Sequence, residues 1–130
     1  MKETVCVPVS VGELIDKISI LNIKRIMISD LQKVEIVNRE LMELIDIGNL
    51  YLQNKEVEDL YDQLVIVNKN LWDVEDELRY LESEKKFDEE FIKKARSVYF
   101  LNDKRYELKN RINFITNSKI TEVKEHVKYK

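Results

Sequence analysis

The sequence predicts an all-α protein: an antiparallel helical bundle built on a long hairpin of the third and fourth helices. Only two glycines and one proline occur among 130 residues, and an all-β fold would need more turn residues. Apolar residues make up 44% and charged residues 36% of the chain, a balance typical of a folded, soluble helical protein. Over residues 56–84, aliphatic side chains recur at alternating spacings of three and four, which indicates a helix with one apolar seam. We expect residues 1–130 to form a single domain.

The composition also narrows the class of protein. A net charge of −3 and a pI near 5.4 argue against a nucleic-acid-binding protein, which is usually basic. No apolar run is long enough to span a bilayer, and the first residues lack the apolar core of a signal peptide, so we expect no membrane partner and a cytoplasmic location. Cys6 is the only cysteine, and with a single histidine it cannot complete a zinc site. We therefore expect no metal and no cofactor, and Cys6 to be a small buried side chain.

The chain begins with a predicted extended arm and a helix. Residues 1–10 form the arm, which Pro8 would restrict to the edge of any sheet. Ser10 and Glu13 form the S-x-x-E pattern of a capping box, so helix 1 is predicted over residues 11–28. Apolar residues nearly encircle this helix, which is typical of a central helix or of one in an oligomer interface.

Helix 2 is predicted to begin after a second capping pattern, Ser29 with Gln32, and to end near Ile45. The residues Ile47-Gly48-Asn49 interrupt the apolar pattern, so residues 48–55 are predicted to be a loop. A continuous, kinked helix formed by helices 1 and 2 is the alternative.

Helices 3 and 4 carry the clearest apolar pattern. The seam of helix 3, over residues 56–84, consists entirely of aliphatic side chains: Val57, Leu60, Leu64, Val67, Leu71, Val74, Leu78 and Leu81. Asp88 is the predicted N-cap of helix 4, which continues to about Asn117. A short connection between two long helices predicts an antiparallel hairpin. Residues 118–130 are predicted to be a loosely docked tail, which either forms a short helix or frays.

Three charged residues interrupt apolar surfaces. Arg105 lies on the helix 4 seam between Leu101 and Leu108, where it needs a buried carboxylate or an exposed gap. It is either a structural ion pair or a cation for an anionic ligand. Asp16 and Lys17 interrupt the apolar surface of helix 1. We predict that Arg105 pairs with Asp16, or that Lys17 pairs with Glu75 or Asp76.

Two polar stripes accompany the seams. Helix 3 carries Trp72, Glu75, Asp76 and Arg79 within two turns, and this stripe is interpreted as the rim of the bundle, with Glu75 and Arg79 as an ordinary i,i+4 pair. On one side of helix 4, tyrosine, asparagine and arginine replace the lysines and glutamates of an ordinary solvated face. Its members are Arg96, Tyr99, Asp103, Tyr106, Asn110 and Asn113. Such enrichment is typical of contact surfaces and also suits the wall of a hydrogen-bonding pocket; a polar network between helices is the competing interpretation.

Catalytic templates are missing: there is no G-x-S-x-G, no glycine-rich phosphate loop and no Cys-His pair, so we do not expect an enzyme. Three blocks instead resemble a family of short uncharacterised proteins of bacteria and marine phages, sometimes found in surface-polysaccharide contexts. The blocks are V-P-V-S-V-G-E-L-I-D-K-I at 7–18, L-W-D-V-E-D-E-L-R at 71–79 and A-R-S-V-Y…N-D-K-R…L-K at 95–109. The resemblance covers nearly the whole chain and implies an all-helical domain with no established activity.

The residues in these blocks overlap the polar interruptions and indicate one composite cluster. Its candidate members are Asp16, Lys17, Trp72, Glu75, Asp76, Arg79, Arg96, Tyr99, Asp103 and Arg105; Ser10, Glu13 and Asn102 also match the family blocks. A second similarity, E-L-I-D-K-I-S-I-L-N-I-K-R at 13–25, is to the first helix of the all-α chorismate mutases, which bind a dicarboxylate inside a helical dimer. It is confined to that helix, and Gly12-Glu13-Leu14 stands where the L-R before I-D is expected.

The favoured functional hypothesis is a helical oligomerisation or partner-binding module, with a homodimer as the first expectation. Its basis is the unbroken seam of helix 3 and the apolar surface of helix 1, which a four-helix monomer would struggle to cover. The alternative is a site for a small anionic ligand, either a phosphate, a sugar phosphate or a carboxylate. That site would use Lys17, Arg96 and Arg105 as cationic groups and Glu75 as the orienting or acid-base carboxylate.

Overall fold

A computed structural model describes residues 3–129 and gives an all-α antiparallel bundle, as predicted. The first two residues of the predicted arm and the last residue of the predicted tail lie outside the described part. Within it the helices are α1 (Val11–Met27), α2 (Leu31–Leu52), α3 (Lys55–Ser83) and α4 (Glu89–Ile115). None of the helices in this part of the chain is both long and apolar enough to cross a membrane.

Polar side chains begin each helix. Ser10 accepts a hydrogen bond from the Glu13 N–H, as the capping-box pattern predicts, and Asp88 caps α4. The prediction that Ser29 caps α2 is wrong, because Asp30 accepts from the N–H groups of Gln32 and Lys33. The cap of α2 therefore lies one residue later than predicted. A break at residues 28–30 therefore separates α1 from α2.

The predicted loop at residues 48–55 is wrong except at Gln53 and Asn54, because α2 continues to Leu52 and α3 begins at Lys55. Gly48 is buried within the helix, and a Cβ atom there would collide with the side chain of Ile18 on α1. The glycine thus lets α1 and α2 approach closely; it does not end the helix. Asn54 then caps α3 with its side-chain oxygen.

The α3–α4 hairpin forms the body of the bundle, and its two helices pack antiparallel. Both helices end in a tight reversal, with Lys85 and Asn117 in the left-handed backbone region at φ 54°. After α4, the Ser118 N–H donates to the Asn113 carbonyl at 2.9 Å, and the chain turns back towards α4.

The core lies where α1 crosses the hairpin. Six of the eight predicted seam residues of α3 are buried, while Val74 and Leu78 are half-buried. The buried core consists of Ile15, Val57, Leu60, Leu64, Val67, Leu71, Leu108 and Ile112. α2 packs mainly on α1 and makes the outermost layer of the bundle.

Two extended segments flank the helices. Residues 3–9 lack secondary structure, and their side chains are exposed. Cys6 is exposed as well, so the expectation that it is buried is wrong. The tail is not helical over residues 118–129; it runs along α4 without regular secondary structure.

Candidate functional site

A buried ion pair joins α1 to α4. Asp16 is fully buried, and Arg105 Nε lies 3.0 and 3.2 Å from its two carboxylate oxygens, with Nη2 also donating to Oδ2. The hydrogen bond to Asp16 raises the pKa of Arg105 against the opposing effect of burial, so the guanidinium stays charged. The predicted Arg105–Asp16 pair is therefore present in the structure.

Two neutral side chains complete the environment of Asp16. The Asn68 amide on α3 donates to Asp16 Oδ1 at 2.9 Å and to Ser19 Oγ at 2.8 Å. The Ser19 hydroxyl in turn donates to the Asp16 backbone carbonyl at 2.6 Å. The network connects α1, α3 and α4, and it leaves neither oxygen of the Asp16 carboxylate without a donor. Such an arrangement fixes the relative register of helices and offers no free group to a ligand.

The N–H groups at the N-terminus of α1 also have partners within the protein. The first four N–H groups of a helix have no partner within it, which makes many helix starts anion sites. In this chain three of them have acceptors. The Val11 N–H donates to Ser118 Oγ, the Gly12 N–H to Asn113 Oδ1 and the Glu13 N–H to Ser10 Oγ, and the regular helical hydrogen bonds begin with the Leu14 N–H and the Ser10 carbonyl. An anion would have to displace these partners.

Lys109 of α4 is the most enclosed lysine of this region, with a side chain only 7% exposed. Its Nζ lies 2.7 Å from Glu13 Oε2 and 2.9 Å from Glu122 Oε2. Burial lowers the pKa of Lys109, but the hydrogen bonds to Glu13 and Glu122 outweigh it and the net shift is upward. For Glu122, burial raises the pKa, and the hydrogen bond and charge of Lys109 reverse this into a net lowering. Both partners therefore stay ionised at neutral pH.

The tail covers the polar stripe of α4. The Tyr106 hydroxyl donates to the Glu122 carbonyl at 3.2 Å, and the Lys124 ammonium lies 5.2 Å from the centre of the Tyr106 ring. Further along, Tyr129 hydrogen-bonds Asp103 and packs edge-on against Tyr99 at 5.0 Å. The contact with Asp103 raises the pKa of Tyr129 to about 12. Tyr99, Asp103 and Tyr106 of the stripe thus contact the tail of the same chain.

A groove of about 750 Å³ lies between α4 and the tail. Its lining combines apolar and aromatic side chains, which are Ala95, Val98, Tyr99, Val127 and Tyr129, with four polar ones, which are Asn102, Asp103, Lys124 and His126. Among the residues that the structure describes, no group of histidine, cysteine or acidic side chains is arranged to hold a metal ion.

The other predicted site residues lie elsewhere. Lys17 pairs with Glu40 of α2 at 3.0 Å, so the predicted pairing of Lys17 with Glu75 or Asp76 is wrong. Lys17 faces the outer helix, whereas Glu75 and Arg79 line a shallow pocket near the hairpin turn with Leu78.

Arg96 lies in a further pocket beside Glu89 and Glu90. Trp72 is half-buried and Asp76 is exposed on α3. The ten candidates therefore occupy several separate places, and the composite cluster is divided among them.

Sequence reasoning missed Lys109, Glu122 and Ser19. Lys109 follows Arg105 by four residues and precedes Ile112 by three, so helical spacing places it on the buried side of α4. That signal was available. Glu122 carried no comparable signal, because its partner is set by the path of the tail after Asn117.

The comparisons with known proteins give a family and no activity. The profile of a family of unknown function, DUF6165, matches residues 5–128. The chain belongs to this family. No curated protein and no solved structure matches it. Membership of DUF6165 confirms the resemblance to an uncharacterised family, and the site must be interpreted from its own geometry.

Acid is expected to release the tail. A carboxyl group whose pKa is lowered on folding stabilises the docked state above its unfolded pKa, here near 4.5, and loses that effect as pH falls through the lower folded value. NMR amide signals of residues 120–129 should therefore collapse to unfolded positions below about pH 4.5 while helix signals persist. Glu122→Gln should weaken docking at neutral pH by about 1–2 kcal/mol. If neither acidification nor Glu122→Gln changes the tail signals, Glu122 does not hold the tail on α4.

Proposed function

We propose that this chain is a self-association module whose dimer interface is the outer face of α2. The observation that carries the proposal is a set of large apolar side chains pointing away from the bundle. They are between 51% and 82% exposed: Leu31, Ile36, Met42, Ile47 and Leu50. Several large apolar side chains exposed on one helix are typical of interaction sites.

Helical geometry places these five residues on one side of α2. At 100° per residue they fall within an arc of about 160°, opposite the side that carries buried Val37 and Gly48. The inner side is already used, because it packs on α1. The outer side is therefore available to a second copy without any rearrangement of the fold.

The charges of α2 favour an antiparallel pair. Its first half has no net charge, because Lys33 and Arg39 are balanced by Glu35 and Glu40, and its second half carries Glu43 and Asp46. In an antiparallel pair each acidic half lies opposite a half without net charge, whereas a parallel pair would bring the two acidic halves together. An antiparallel arrangement about a twofold axis also closes the assembly as a dimer.

The small-anion alternative needs Lys17, Arg96, Arg105 and Glu75 in one pocket. Within residues 3–129 they lie in separate places, and Arg105 is already neutralised by Asp16. We therefore do not propose an anionic ligand. An origin in a bacterium or marine phage and a cytoplasmic location remain predictions from the sequence.

A matched pair of substitutions tests the α2 face. Ile36 on α2 and Ile66 on α3 are 63% and 62% exposed, and both lie inside long helices. Burying an isoleucine on association contributes about 1.5–3 kcal/mol. Ile36→Glu should therefore raise the dimer dissociation constant at least about tenfold in analytical ultracentrifugation, and Ile66→Glu should leave it unchanged. A strict monomer at high concentration, or equal effects of the two substitutions, would refute the proposal.

A further inference from the structure

The extended arm and the tail groove are two apolar features that the single chain leaves uncovered. Val5, Val7 and Val9 alternate along the arm, so their side chains share one face of the extended backbone. They are 83%, 67% and 49% exposed. Burying such a row requires an apolar surface that also tolerates an extended main chain.

We propose that residues 3–9 of one copy bind in the groove between α4 and the tail of a second copy. This contact is distinct from the α2 pairing and does not depend on it. The groove offers the methyl groups of Ala95, Val98 and Val127 to the valines, and the rings of Tyr99 and Tyr129 enclose the same space.

Polar groups at the groove fit an extended peptide of this composition. The Asn102 side chain carries both a donor and an acceptor for an incoming backbone. Glu3 is the only charged side chain in residues 3–9, and His126 and Lys124, whose Nζ also lies 3.6 Å from Glu122 Oε1, supply basic groups on the wall formed by the tail. The carboxylate of Asp103 already accepts a hydrogen bond from Tyr129.

The position of the arm distinguishes binding in the groove of a second copy from binding in the groove of its own chain. The arm ends at Ser10, beside Asn113, and the groove begins about 15–27 Å further along α4, at residues 95–103. An extended arm is long enough to span part of that distance. In the single chain it does not fold back, since its valines stay exposed and the groove stays open. The occupant assigned to the groove is therefore the arm of another molecule.

A thiol on the valine face of the arm provides the test, because Cys6 alternates with the valines and faces the opposite side. A Cys6→Ser/Val7→Cys chain is mixed under mild oxidation with a longer-tagged Cys6→Ser/Asn102→Cys chain, and the mixed disulfide is followed on non-reducing gels. The control is Cys6→Ser/Lys104→Cys, because residue 104 is one of the exposed positions of α4 and lies about 200° around the helix from residue 102. Circular dichroism checks that all chains are folded.

Held in the groove, the thiol at position 7 has a high effective concentration near residue 102, so this disulfide should form roughly tenfold faster than the control disulfide. Val9→Asp in the arm chain should remove the difference. Equal rates for the two positions would overturn the proposal. So would a Cys6→Ser/Val7→Cys/Asn102→Cys chain that forms only an internal disulfide, because the arm would then fill its own groove.

Discussion

Replacing Asp16 with alanine is expected to lower the free energy of unfolding by about 3–5 kcal/mol, the usual cost of removing one partner of a buried pair. The loss is large because Arg105 would keep its charge without a counter-ion, and Asn68 would lose an acceptor. For a chain of this size the expected fall in melting temperature is of the order of 10 °C or more. Thermal unfolding followed by circular dichroism measures it.

Two further variants distinguish the loss of stability caused by an unpaired buried charge from a general effect of substitutions on α1. Lys17→Ala removes the neighbouring ion pair with Glu40, whose side chains are about half exposed, and should cost less than about 1 kcal/mol. Asp16→Ala combined with Arg105→Met removes both charges and should recover much of the stability lost in the single variant. If the double variant is no more stable than Asp16→Ala, the uncompensated arginine is not the cause.

The Asp16–Arg105 pair also shows what a sequence can predict. An arginine on an apolar seam and an aspartate on an apolar helix each break a strong local pattern, and each needs the other. The α3 seam was predictable for the same reason, since its period is local. These elements required no knowledge of how helices cross. The fold class and the hairpin followed from them.

The features that the sequence does not predict depend on contacts between residues far apart along the chain. Gly48 looked like a helix end, because the sequence does not reveal that Ile18 lies against it. The contact of Gly12 with Asn113 joins residues 101 positions apart, and its existence depends on the crossing of α1 over α4. Trp72 and Arg96 were grouped with Asp16 because helical spacing shows which residues share a face, but not which neighbour that face meets.

The charged and polar groups between α1, α4 and the tail are already paired, which leaves the outer face of α2 free for the proposed pairing of two copies. Arg105 and Lys109 each have a carboxylate partner, and the N–H groups at the start of α1 each have an acceptor. These charges hold α1 on the hairpin and the tail on α4. α1 then serves as a fixed support for α2, whose apolar outer side has no partner among the described residues of the chain.

Gly12→Ala is the second substitution with a large expected effect. Its Cβ would collide with the Lys109 carbonyl oxygen and lie 2.9 Å from Asn113 Oδ1. The carbonyl belongs to the interior of α4 and cannot rotate away, so the two helices would have to separate. Overpacking of this kind costs about 3 kcal/mol, and it also weakens the hydrogen bond from the Gly12 N–H to Asn113. Chemical denaturation gives the change in free energy directly.

Gly48→Ala is the matched control, because it too adds one methyl group at a buried helical glycine. Its Cβ would meet only the end of the Ile18 side chain, which can change rotamer, and alanine favours the helix over glycine by about 1 kcal/mol. We expect a net effect within about 1 kcal/mol of zero. If Gly12→Ala costs as little stability as Gly48→Ala, α1 can move away from α4 as easily as a side chain can turn. The close contact at Gly12 would then not fix the position of α1.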